Sequence, residues 1–128
     1  MDQIEIFAPA SVANVSCGFD VLGFCLEPIG DIMRVTKTKT PGVTIGSVTG
    51  QKLPTDPLKN VASVAVLSLL KSFKSSYGFR IDIDKKIKPG SGIGSSAASA
   101  AGAVFAVNYL LGVPFSRKEL IQFAMAGE

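Results

Sequence analysis

The sequence predicts one domain in which a small β-sheet packs with helices, and three observations carry that prediction. Short β-leaning runs rich in apolar residues recur at 4–8, 21–26, 31–38 and 43–48. Residues 58–73 place apolar side chains at helical spacing. An alternating segment, 79–87, then leads through a glycine-rich stretch into an alanine-rich one. At 128 residues with 47% hydrophobic content the chain can bury one core and is short for two, so residues 1–128 are read as a single domain.

The first two runs, Ile4 to Ala8 and Val21 to Leu26, flank a polar connection from Ser11 to Asp20, which reads as strand, functional loop, strand. In residues 31–38, Ile32, Arg34 and Thr36 alternate against Met33, Val35 and Lys37, and the sheet continues over 43–48 after Pro41-Gly42. For the first helix, Asp56 is the expected N-cap and Pro57 lies in the first turn. Leu58, Val61, Ala62, Ala65, Val66, Leu69, Leu70 and Phe73 form its apolar face. Lys71 and Lys74 complement the dipole at its end, and Gly78 follows. Phe79, Ile81 and Ile83 then alternate with Arg80, Asp82 and Asp84 as a half-buried strand. A second helix starts near Ser95 and ends at Gly112 and Pro114, and Ser116 with Glu119 forms a capping box for a third. That helix reaches Gly127-Glu128 with no tail, which suggests a fragment of a longer protein.

Composition removes several classes of chemistry. There is no His, so no Ser/His/Asp or Cys/His arrangement and no His-ligated metal can be built from these residues. Cys17 and Cys25 are too far apart for a redox pair and read as buried free thiols of a reducing compartment. The net charge of +3 is mild and its Lys residues are scattered, which argues against nucleic acid. Mean hydropathy is positive, yet no run approaches the roughly 18 apolar residues of a membrane span. The most apolar stretch, 95–111, holds Gly102 and Asn108 and reads as a buried helix. The N-terminus carries no basic region or cleavage-type site, so the expectation is cytoplasmic, without a membrane partner.

Chemistry must therefore rest on carboxylates, amides, hydroxyls, Lys and backbone N–H groups. The strongest candidate is Pro89-Gly90-Ser91-Gly92-Ile93-Gly94-Ser95-Ser96-Ala97-Ala98. Its glycines let backbone N–H groups approach an anion, and a helix starting near Ser95 adds unpaired N–H groups and a positive dipole end. A Walker A loop needs a Lys before its Ser or Thr, and Gly94-Ser95-Ser96 has none; a dinucleotide fingerprint needs its third glycine one residue later. A plain Gly-rich turn between strand and helix is the remaining reading of the same residues.

Residues 89–98 are similar to the phosphate motif of the GHMP kinases, with Ile93 where that family carries Leu. A second stretch, residues 8–23 from Ala8-Pro9-Ala10 through Asn14 and Asp20 to Gly23, resembles the first motif of the same family. Its form is that of the branch that phosphorylates L-homoserine. The resemblance covers nearly the whole chain and only the first part of the family's length.

The resemblance implies an α+β fold of the type shared with certain ribosomal proteins (ribosomal-protein domain-2-like), with a mixed sheet and a left-handed β–α–β crossover. Physics alone favours right-handed crossovers. It implies ATP and Mg2+ as cofactors and L-homoserine as acceptor. It places ATP phosphates against residues 89–98 and magnesium on Ser96 and Glu128, which are then the catalytic residues. The amino-acid substrate falls to Asn14 and Asp20. Asn14 offers a donor and an acceptor, while Asp20 offers a charge suited to an ammonium. By weaker resemblance Asn60 and Lys85 touch adenine. Ordinary roles stay open for each: turn residue for Asn14, loop cap for Asp20, exposed terminal acid for Glu128, surface position for Asn60 and Lys85. A mevalonate- or sugar-type kinase and a non-catalytic nucleotide-binding domain are the alternatives. No general base stands out, and a homodimer is compatible with the reading.

Overall fold

The computed structural model describes residues 2–12, 24–87 and 95–127. Four strands form one mixed sheet: β1 (Gln3–Val12), β2 (Phe24–Thr38), β3 (Gly42–Thr49) and β4 (Gly78–Asp84). Its order is β1-β2-β4-β3, with β1 antiparallel to β2, β2 antiparallel to β4, and β3 parallel to β4. Among the described residues three helices pack with the sheet: α1 (Val61–Ser72), which connects the parallel pair, α2 (Ser95–Leu110) and α3 (Arg117–Ala126). This is the expected α+β architecture.

Alternation divides the sheet into two faces. Met33, Val35, Phe79, Ile81 and Ile83 point inward and are buried, together with Ala65, Val66 and Leu69 of α1 and Ala103, Val104 and Val107 of α2. The opposite face carries charge, with Arg34 bonded to Glu5 and Arg80 to Asp82. Residues 24–26 of the first expected run and the whole of 31–38 belong to one strand. The β1–β2 register shifts between Pro9 and Ala10, so the pairing passes from Pro9↔Gly30 to Ala10↔Leu26. Such an irregularity absorbs extra residues without ending a ladder.

The first helix begins later than Asp56 predicts. Asn60 is its N-cap, with Oδ1 accepting from the Ala62 N–H at 3.0 Å. Asp56 caps a preceding turn, accepting from the Leu58 N–H at 2.9 Å, and Leu58 is 76% exposed. Two Asx residues compete for one helix start, and the one whose side chain can also be buried and bonded at Pro54 O wins. The third helix has the expected capping box: the Ser116 hydroxyl accepts from the Glu119 N–H, and the Glu119 carboxylate accepts from the Ser116 N–H. Gly112 takes φ +87° after α2, as its C-terminal position requires.

Asn108 is the polar interruption of the apolar stretch. Its amide donates to Phe115 O at 3.1 Å and accepts from Phe115 N at 3.0 Å, which fixes the α2–α3 connection. That connection presents the Phe115 ring edge-on to Phe73 and Phe123. Gly102 lies where α2 comes nearest the sheet; a Cβ there would lie 2.9 Å from Met33 Sδ and 3.0 Å from Ile6 Cδ1. The helix that starts after the glycine-rich stretch is thus pressed against β1 and β2.

Candidate functional site

The N-terminus of α2 is the centre of the candidate site. Ser95 is partly exposed, Ser96 and Ala97 are exposed, and the helix has no acidic residue in its first turn. The first turn thus adds no negative charge of its own to the positive end of the helix. Ala98 turns inward and joins Ala8 and Ile87 in a small buried cluster. Residues 85–87 and the first turns of α2 are therefore neighbours, with residues 88–94 between them in sequence.

What joins those two segments is a buried ion pair. Asp31 of β2 and Lys85, just past β4, are both inaccessible and bond at 2.5 Å. The Lys85 ammonium also donates to Ser95 O at 2.8 Å and to Ser99 Oγ at 3.0 Å. The second carboxylate oxygen of Asp31 accepts from the N–H groups of Lys86 and Ile87, at 2.7 and 2.8 Å. The Ser95 hydroxyl donates to Ile87 O at 3.4 Å. Every buried side-chain polar atom among the described residues has a partner, as burial of charge requires.

The expected site residues fall into three groups. Ser95, Ser96, Ala97 and Ala98 form the first turn of α2. Asn60 and Lys85, expected at adenine, have their side-chain groups engaged within the protein: Asn60 caps α1 and donates to Pro54 O at 2.8 Å, and Lys85 holds the network just described. Both are buried, so the ordinary surface role does not describe them either. Asn14, Asp20, Pro89, Gly90, Ser91, Gly92, Ile93, Gly94 and Glu128 lie outside the described residues, as does Cys17. The described residues contain no cluster of three or more acidic or Cys side chains that could hold a metal, and none of their helices is long and apolar enough to cross a membrane.

Sequence reasoning missed Asp31 and Ser99. A signal for Asp31 was present: Asp31 shares inward parity with Met33 and Val35, and Lys85 shares it with Phe79, Ile81 and Ile83. In the β2–β4 register Ile32 faces Asp84, so one step further Asp31 faces Lys85. Opposite charges at facing inward positions are a buried-pair signature. It becomes visible only once the two strands are known to be neighbours.

The site is thus a helix start directly after a glycine-rich stretch, packed on a mixed sheet. Residues 60–128 match the family described as GHMP kinases N terminal domain, and the chain belongs to that family. Among curated relatives it is 46% identical to the homoserine kinase of Chloroherpeton thalassium over 140 residues, covering 100% of this chain and 44% of the relative. Among solved structures it is similar to the homoserine kinase of Cytophaga hutchinsonii. That match has a TM-score of 0.94 at 47% identity and covers 100% of this chain and 41% of the other. The mevalonate kinase of Methanococcus jannaschii matches with TM-score 0.70 at 17% identity over 97% of this chain and 45% of that one, a likeness of fold. The chain spans less than half the length of these proteins.

Proposed function

We propose that this chain is the nucleotide-binding part of a kinase that transfers the γ-phosphoryl group of ATP to the side-chain hydroxyl of L-homoserine, giving O-phospho-L-homoserine. The observation that carries the reading is the homoserine kinase likeness: 46–47% identity over the whole chain, against 17% for the mevalonate kinase. It is supported by the start of α2, with Ser96 and Ala97 exposed and no acidic residue in its first turn, directly after the glycine-rich stretch.

In this reading the N–H groups of residues 90–98 and the positive end of α2 receive the phosphates and neutralise charge as the phosphoryl group moves. Ser96, exposed on the first turn, and Glu128 offer the oxygen ligands a magnesium ion prefers. When bound, the ion supplies charge neutralisation at the phosphates. Asp20 accepts the substrate ammonium and Asn14 fixes the amino-acid backbone, leaving the hydroxyl free to react. Catalysis is chiefly positioning. Such a protein works in the cytoplasm, in threonine biosynthesis, without nucleic acid or membrane as a partner.

The test is a steady-state comparison of homoserine, its analogue lacking the amino group, and mevalonate, using the protein at the full length of its relatives. Homoserine should be strongly preferred, and Asp20→Asn should lower kcat/KM for homoserine about tenfold or more while KM for ATP stays within a small factor. Equal losses on homoserine and on the deaminated analogue would remove Asp20 from the ammonium site. Preference for mevalonate would overturn the substrate assignment. Gly94→Val should abolish ATP binding in calorimetry while the fold persists, because a branched side chain would occupy phosphate space.

A further inference from the structure

We infer that the buried Asp31–Lys85 pair is a positioning device for the nucleotide: it sets the ends of strand β4 and helix α2, between which the glycine-rich stretch runs. The inference rests on reading residues 89–98 as the ATP phosphate motif. Residues 88–94 leave from Ile87 and arrive at Ser95, and both flanks are bonded to this one pair. Asp31 takes the N–H groups of Lys86 and Ile87, while Lys85 holds Ser95 O and Ser99 Oγ. The Ser95–Ile87 bond closes the neck directly. A shift of either flank would break bonds that are buried or partly buried, where water replaces them poorly.

Two physical points favour positioning over stability alone. Buried ion pairs are poor stabilisers compared with apolar residues of the same volume. In addition, Lys85 places a cation beside the N-terminal turn of α2, the end of a helix where a cation is least favourable. The arrangement is expensive for a core and well suited to fixing two backbone segments against each other. The effect on chemistry follows from proximity: phosphoryl transfer requires the acceptor and γ-phosphate to be aligned, and small displacements of the phosphate cradle cost rate.

The experiment compares Ser99→Ala, Lys85→Met and the double variant Asp31→Asn/Lys85→Met in the full-length protein, assayed well below the melting temperature of each. Lys85→Met should raise KM for ATP at least tenfold while KM for the acceptor alcohol stays within about twofold, and Ser99→Ala should raise KM for ATP about two- to threefold. The double variant removes the unpaired carboxylate, so its melting temperature should recover relative to Lys85→Met while KM for ATP stays high. If KM for ATP is unchanged in Ser99→Ala and in whichever charge variants fold, or recovers in step with melting temperature, the pair is structural only and the inference fails. A wild-type protein that neither binds nor turns over ATP would instead overturn the nucleotide reading itself.

Discussion

Three of the four ion pairs among the described residues sit at three depths, and comparing them separates what holds the fold from what decorates it. Arg34–Glu5 joins β1 and β2 on the outer face at 2.8 Å, with both side chains about half exposed. Arg80–Asp82 lies on the same face of β4 at 3.2 Å, with Asp82 also accepting from the N–H and hydroxyl of Ser47 on β3. Asp31–Lys85 lies in the interior and carries further hydrogen bonds on both partners. Charge is the same in each case; burial decides how much depends on it.

The largest effect is expected at the deepest pair. Asp31→Ala strands the Lys85 ammonium and two backbone N–H groups and should lower stability by about 3–5 kcal/mol, read as an earlier urea midpoint. A loss of under about 1 kcal/mol would place this pair with the surface ones.

Asp82 gives an intermediate case and sets its pH dependence. Partial burial pushes its carboxyl up, but the Ser47 bonds and the neighbouring Arg80 outweigh this and hold it below the usual carboxylate range. A carboxyl lower in the folded state than in the unfolded one contributes stability above its unfolded value, and this is lost as pH falls through the folded one. Asp82→Asn should therefore weaken the protein slightly near neutrality and flatten the acid limb of its stability profile below about pH 4. An unaltered acid limb would show that Ser47 and Arg80 leave the titration of Asp82 where an unfolded chain has it.

The smallest effect belongs to the exposed pair. Arg34→Gln should change stability by less than about 1 kcal/mol, with the difference shrinking as salt is raised from 0.05 to about 0.5 M. A larger, salt-insensitive loss would show that the Arg34 stem covers apolar surface, as long cationic side chains can.

The local rules were legible residue by residue. Alternation in 79–84 fixed the buried face of β4, the Ser116–Glu119 box fixed the start of α3, and Gly112 fixed the end of α2, because each depends on neighbours a few positions away. The α1 start was misplaced for a reason of the same kind: Asp56 and Asn60 both satisfy the local rule, and only burial and the bond to Pro54 O select Asn60.

Sequence by itself also supplied the proposed chemistry, since the absence of His and the spacing of glycines 90, 92 and 94 made a phosphate motif the strongest reading. Only the tertiary structure decided that β2 lies beside β4, and with it that Asp31 meets Lys85 across 54 residues of chain and that Lys85 reaches into the first turns of α2. Pairing of distant strands depends on which surfaces the whole chain can bury together, a quantity that no short window of residues contains.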